Sequence, residues 1–222
     1  MIQDLVVYGT GGVGRQVVQI ARDITAARQT WHVIGYLDDD LEKRGMVFGD
    51  LPVLGSAHWL QDHPATFVAV AIGSPSARWR VMRALSFLHH RHLATLVHPS
   101  AWLGERCTIG AGTLVYAGSV IDPDVKVGNL VLINKLCTLG HDATVGDYTT
   151  FAPGVNLGGD THIAEGCDLG IGSATVQRIA IGEWSVVGAG AVVINDLEPN
   201  VTAVGVPAKV IKQRQPGWQE EL

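Results

Sequence analysis

The amino-acid sequence predicts a chain in two parts: a small α/β domain with a parallel sheet, then a parallel β-helix of six-residue units. Three observations carry that expectation. The residues before position 103 alternate strand-like and helix-like segments, residues 103–198 repeat with a period of six without an insertion, and Cys107, Cys137 and Cys167 stand thirty residues apart, in phase with the repeat. An apolar content of 47% with 17% charged residues fits a compact globular chain of 222 residues and argues against disorder. A net charge of −5 gives no reason to expect a nucleic-acid partner. No run of about 18 apolar residues is present, so no membrane span is expected. The opening MIQDLVVYGTGG has no basic leader, which reads as a cytoplasmic chain without a signal peptide.

The elements of the first part follow in order. LVVYG (Leu5–Gly9) is a short apolar run ending in glycine, as a buried strand does. VGRQVVQIARDI places Val13, Val17, Ile20, Ala21 and Ile24 at helical spacing. HVIGYLDDD reads as a second strand ending in acids and TFVAVAIGS as a third. ARWRVMRALSFLHHRH reads as a second helix whose end carries His89, His90 and His92, expected to be solvated. His98, before Pro99 at the junction, reads as structural.

Written in sixes from Leu103, the second part places an apolar residue at every first position except Thr175. Small residues fill the fifth position except at Ile179 and Leu197, and glycine recurs at the second. A period of six suits neither a helix nor a simple strand; it is the signature of a hexapeptide β-helix. First positions should point inward, fifth positions should fit tight corners, and the second-position glycines should permit the turn. All three cysteines fall at fifth positions and read as core fillers, not as disulfides. Neither a CxxC nor an HxxxH pair occurs, so no metal is expected.

Gly9, Gly11 and Gly14 form a GxGxxG between a strand and a helix, with Asp38 beyond. That spacing suits a dinucleotide site. The domain is about half the required length, so NAD binding is disfavoured, but backbone N–H groups at a helix N-terminus suit the phosphates of any nucleotide. The plainer alternative is that the glycines only allow close strand–helix packing. His141 and Asp142, in TLGHDATVGD, pair an imidazole with a carboxylate at one turn of the repeat. An imidazole titrates near neutrality and can take a proton from an attacking amine or hydroxyl, and an adjacent carboxylate can orient it. Residues eighteen apart should stack on successive coils, about 4.8 Å apart. Asp142 should therefore lie between Asp124 and Asp160, in a ladder that titrates together and raises the proton affinity of His141. His162, one coil later, is the second choice of base. Sorted by face, the sixth positions give one polar face (Thr108, Lys126, Thr144, His162) and two apolar ridges, Leu114, Leu132, Val186 and Val120, Ala174, Val192. Such ridges suggest partner contacts.

Residues 103–198 resemble the hexapeptide acyltransferases, whose β-helix is left-handed. Over nearly its full length the chain resembles the sialic acid O-acetyltransferase-like sugar acetyltransferases, a group that includes N-acetyltransferases of nucleotide-linked amino sugars used in surface-glycan biosynthesis. The marks are YGTGGVG, LDDD, AIGS, VHPSA, LGHD, LGIGS and VGVPAK. The resemblance implies a nucleotide-sugar domain over residues 1–97, a left-handed β-helix acetyltransferase domain over 98–214 and a tail over 215–222. It implies a homotrimer with acyl-donor clefts between prisms, and acetyl-CoA as co-substrate. It makes His141 the general base and Asp142 its orienter. It carries nucleotide-sugar contacts onto Gly11, Gly12, Val13, Asp38, Asp39 and Gly73, with Asn134 as a sugar contact. Coenzyme A contacts fall at Thr150, Ile171, Gly188, Ala189, Gly190 and Lys209. Val13 and Thr150 depart from residues common at those positions in the group. The resulting expectation is an N-acetyltransferase of a nucleotide-linked amino sugar. The alternatives are O-acetyl transfer to a sialic acid or other sugar, and a non-catalytic nucleotide-sugar sensor.

Overall fold

The computed structural model describes residues 2–220, so the final residues of the tail expected over 215–222 lie outside the described residues. The N-terminal domain runs β1 (Gln3–Tyr8), α1 (Gly12–Arg28), β2 (Trp31–Leu37), β3 (Val47–Phe48), β4 (Leu51–Gly55), β5 (Phe67–Val70) and α2 (Pro75–Phe87). The sheet order is β3-β4-β2-β1-β5, parallel except for the β3–β4 hairpin. Leu5, Val6, Val7 and Tyr8 of the inner strand β1 are buried, as a strand covered on both faces requires. The apolar stripe of α1 (Val17, Ile20, Ala21, Ile24) packs on one face. The β3–β4 hairpin was not legible, because its strands are short and lack a clean alternation.

Helix α2 stops earlier than its sequence pattern suggests. His89 adopts a left-handed φ of 56°, and the His89 and His90 N–H groups donate to Ser86 O and Leu85 O. That is a Schellman ending. It folds His90 inward, so His90 is buried rather than solvated.

The second part is a left-handed parallel β-helix of three sheets. A covered face stacks Leu96–Val97, Leu114–Val115, Leu132–Ile133, Thr150–Phe151, Asp168–Leu169 and Val186–Val187. An open face stacks Trp102–Leu103, Val120–Ile121, Thr138–Leu139, Asn156–Leu157, Ala174–Thr175 and Val192–Val193. A polar face stacks Thr108–Ile109, Lys126–Val127, Thr144–Val145, His162–Ile163 and Ala180–Ile181. The register is eighteen residues per coil throughout, as in Val120↔Thr138↔Asn156. First-position residues such as Ile121, Leu139 and Phe151 fill the prism together with small fifth-position residues such as Ala143 and Cys137. Burial raises the Cys137 thiol to about 11 and the Cys167 thiol to about 12, so neither reacts at neutral pH.

The turn chemistry differs from the expectation. Left-handed φ values fall at the fourth position, including Arg106, Asp124, Asp142, Asp160 and Arg178. The second-position glycines serve a different purpose. A Cβ on Gly140 would lie 2.6 Å from the Gly159 nitrogen, so this glycine allows close approach of the next coil rather than a special dihedral.

One apolar ridge is covered by the chain itself. Leu114, Tyr116 and Leu132 join the core of the N-terminal domain instead of facing a partner. The seam is pinned by Arg78 from α2, which is 1% exposed. Its guanidinium donates to the carbonyls of Ile72 and Gly73 on one side and of Leu130, Tyr148 and Thr149 on the other, and to Thr150 Oγ1. His98 adds a contact to Asp23 at 3.1 Å. A closing hairpin, Val201–Val204 with Lys209–Gln213, caps the prism, and the turn Trp218–Glu220 returns to α2, where Arg80 donates to Gln219 O. No helix among the described residues is long and apolar enough to cross a membrane.

Replacing Arg78 by Met would leave buried carbonyls of both domains without donors, each costing about 1–3 kcal/mol. The expected outcome is a loss of about 3 kcal/mol or more, read from denaturant midpoints. An unchanged midpoint would show that the seam does not depend on this residue.

Candidate active site

The glycine loop opens onto a cavity of about 390 Å³ lined by Tyr8, the Gly9–Val13 loop, Asp38, Asp39, Ile72 and Gly73 among others. Each glycine has its own reason. Gly9 has a φ of 110°, and a Cβ on Gly14 would fall 1.9 Å from the Gly9 carbonyl oxygen. Gly11 and Gly12 meet nothing within 4 Å, so the start of α1 faces open space, and its cap residue Gly11 supplies no side chain. The helix N-terminus is thus bare toward the cavity, as anion binding requires. Val13 lies on the same rim, facing Gly73.

The acids after β2 are held by residues the sequence reading missed. Asp38 Oδ2 accepts from Thr10 Oγ1 at 2.6 Å and from Lys43 Nζ at 3.1 Å. Burial pushes the Asp38 carboxyl up, but hydrogen bonds from Thr10, the Asp40 N–H and Lys43 together hold it below its ordinary value. Tyr8 donates to Asp39 at 2.6 Å, and burial followed by that bond raises its hydroxyl well above its usual value. The signal for Tyr8 was its place immediately before Gly9. Arg78 acts across 52 to 72 residues and left none, and Lys43, five residues after Asp38, is brought back to it by the short turn Leu41–Lys43.

His141 and Asp142 occupy the corner between the open and polar faces. His141 Nδ1 lies 2.8 Å from Asp142 Oδ2, and the two side chains are 66% and 60% exposed. A neutral imidazole in this pose carries its proton on Nδ1 and leaves Nε2 as acceptor. A cavity of about 310 Å³ beside it is lined by His141, Asp142, Gly159, Asp160, Gln177 and Arg178. Asp142 also has a structural duty: it takes the left-handed corner position, which Asp tolerates better than most residues.

The hydrogen bond that His141 donates to Asp142 raises the His141 pKa, solvent loss opposes it, and the charges of Asp142, Asp122 and Asp160 add to the rise. The expected direction is present and Asp160 contributes to it, but Asp124 does not. Asp124 is clamped by Arg106 at 2.6 and 2.7 Å, which holds its carboxyl below the ordinary range. Asp160 faces His162 Nε2 at 3.5 Å and Arg178 at 3.9 Å. Arginines on the outer coils therefore bracket the column, and Asp124 is already paired. His162 Nδ1 is engaged with Thr144 Oγ1 at 2.8 Å.

The remaining positions divide between two places. Ile171, Ala189 and Gly190 are exposed and Gly188 half-buried along the corner joining the covered and open faces, across the open face from His141. Asn134 lies near the same corner, its Oδ1 accepting from Lys135 N at 2.9 Å. Lys209 is exposed on the closing hairpin. Thr150 does not lie on an open surface: its hydroxyl accepts from Arg78 and donates to Gly73 O at 2.7 Å, because the N-terminal domain covers that face. The glycine-loop cavity and the His141 cavity share no lining residue within one chain.

A left-handed hexapeptide prism carrying a small α/β domain and an exposed His–Asp pair defines an acyltransferase of the hexapeptide class. Residues 4–85 match the family model described as the PglD N-terminal domain. The chain is similar to PerB from Caulobacter crescentus, solved with CoA and GDP-perosamine, at a TM-score of 0.85 and 31% identity over 96% of this chain and 99% of that one. It is similar to the acetyltransferase domain of PglB from Neisseria gonorrhoeae FA1090, at a TM-score of 0.83 and 29% identity over 94% and 100%. A GDP-perosamine N-acetyltransferase of Escherichia coli O157:H7 is 27% identical over 175 residues, 78% of each chain. The chain belongs to the PglD-like hexapeptide-repeat acetyltransferases.

The raised His141 pKa sets the sign of a pH effect. A base must be neutral to act, so kcat/KM should rise with pH through an apparent pKa above the ordinary value of about 6.5. Asp142→Asn should move that limb to lower pH and reduce kcat by about tenfold or more. A pH–rate profile unmoved by the substitution would overturn the assignment of Asp142.

Proposed function

We propose that the protein transfers the acetyl group of acetyl-CoA to the amine of a nucleotide-linked amino sugar, with His141 as general base and Asp142 as its orienter. The observation that carries this reading is the Nε2 face of His141 opening into a polar cavity while Nδ1 is fixed by Asp142. The similarity to an enzyme solved with CoA and GDP-perosamine, and to histidine variants of that enzyme solved with the same pair, supports it.

The chemistry needs few parts. Only a neutral amine attacks, so the site must bind or generate that form. As the C–N bond forms at the thioester carbonyl, Nε2 of His141 takes the proton that the nitrogen loses. The tetrahedral oxyanion requires a donor, and the Gly159 N–H, one coil away, makes no hydrogen bond to protein among the described residues. Collapse expels the CoA thiolate, which recovers the proton from the imidazolium. At the other site the bare start of α1 suits the diphosphate, with Gly11, Gly12, Val13, Asp38, Asp39 and Gly73 around it.

A homotrimer completes this arrangement. The open face and its rims expose Trp102, Leu136, Ile171 and Ile194, an apolar surface suited to a second copy of the chain. His141 lies on one edge of that face and the positions assigned to coenzyme A on the other. Adjacent prisms would bring the two edges together. Light scattering should therefore give three copies per particle, and Trp102→Asp with Leu136→Asp should yield smaller, inactive species. A fully active monomer would refute the trimer.

The direct test is acetyl-CoA consumption with UDP-, GDP- and dTDP-linked amino sugars against free sugars. Turnover is expected with a nucleotide-linked amine and should fall about 100-fold or more in His141→Asn. Undiminished turnover in that variant would sink the base assignment. Transfer to hydroxyl acceptors alone would favour an O-acetyltransferase, and no turnover with any acceptor would favour a sensor.

A further inference from the structure

The corner that carries His141 stacks Glu105, Pro123, His141, Gly159 and Gln177 at its third positions, and within this set only Gly159 lacks a side chain. Its φ lies outside the left-handed region that accounts for many glycines of this chain. Nor does coil packing explain it. The neighbouring Gly158 is required by packing, since a Cβ there would meet the Gln177 nitrogen at 2.5 Å. A Cβ on Gly159 would meet something else: His141 Nε2 at 2.6 Å, Cε1 at 2.8 Å and Cδ2 at 3.0 Å. The nearest neighbours of that missing atom are all atoms of the His141 ring. The imidazole lies in the space that any other residue at 159 would fill.

We infer that Gly159 is a positioning residue for His141, its absent Cβ allowing the imidazole to lie across the next coil with Nδ1 on Asp142 and Nε2 toward the cavity. The inference rests on the reading of His141 as base for its catalytic consequence, but not for its geometry. With a Cβ at 159 the ring is the part that yields. It is the exposed end of a side chain, whereas the surrounding backbone is tied by Asp160 N to His141 O at 2.8 Å and by Arg178 N to Gly159 O at 3.0 Å. The ring would swing off the 2.8 Å contact to Asp142 while the prism stays intact. The charged groups around it are Asp142, Asp122 and Asp160, which favour the imidazolium, Arg178 in the cavity wall, and Arg106, which senses the charge of Asp142. Displacement from Asp142 removes the first of these influences, so the ring pKa should fall toward its ordinary value.

The experiment compares Gly159→Ala with the parent chain at full length. Three results are expected together. The thermal midpoint and oligomeric state stay unchanged. Side-chain NMR titration of His141, with His141→Asn to assign the signal, shows its pKa moving down toward about 6.5. The kcat falls about 10- to 100-fold, the scale of a small misplacement of a reacting group, with the KM of each substrate altered less than about threefold. The acid limb of the pH–rate profile should follow the NMR titration. Gly159→Ser carries the same Cβ and should reproduce these shifts. The proposal is overturned if the His141 titration and kcat are both unchanged, or if activity falls only with the midpoint, which would make Gly159 a packing glycine. If His141→Asn keeps full turnover, the base reading fails, while the NMR arm still decides whether Gly159 places the ring.

Discussion

The architecture depends on one buried guanidinium. Arg78 sits between the two domains, and burial lowers its pKa to about 10, which leaves it charged at neutral pH. Burying such a charge is costly unless every donor finds an acceptor. Here the acceptors are backbone carbonyls of both domains, so the charge is satisfied only when the domains are docked in this register. The same side chain holds the Ile72–Gly73 turn, which forms part of the glycine-loop cavity. One residue therefore links the seam to a proposed substrate site. By fixing the domain on one prism face, it also decides which face remains open.

Within the prism two separate constraints had looked like one. Close approach of successive coils excludes a Cβ at positions such as Gly140. The change of direction is made two residues later by a left-handed residue, and at that position the chain uses Asp142. The carboxylate beside His141 thus occupies a place that the repeat needs for its turn, and the acid–base pair costs the fold little.

The electrostatics of that corner are local. A column of carboxylates at about 4.8 Å spacing would repel if unpaired. Arg106 neutralises Asp124 below His141, and Arg178 approaches Asp160 above it. The proton affinity of His141 is therefore set first by its own neighbour Asp142 and only then by the wider column. Periodicity located the column; the side chains that interrupt it came from fourth positions whose charges had not been read as partners.

Much of the fold was legible because it is periodic. A first position that is apolar from Leu103 to Val193, with Thr175 the exception, leaves the chain few options other than a prism, since only that winding buries each sixth residue. The strand–glycine–helix order of residues 5–24 likewise determined the start of α1 and the bare N–H groups at Gly11 and Gly12. The His141–Asp142 pair was visible as an imidazole beside a carboxylate at one turn of the repeat. Other features were settled only in three dimensions, because they join residues distant in sequence. Arg78 meets Tyr148 across the seam, Thr10 reaches Asp38 beside the glycine loop, and the domain buries the Leu114–Leu132 ridge and Thr150, which had read as outward-facing. Gly159 makes the same point at the scale of one atom: only the stacking of coils shows that the space above it belongs to the ring of His141.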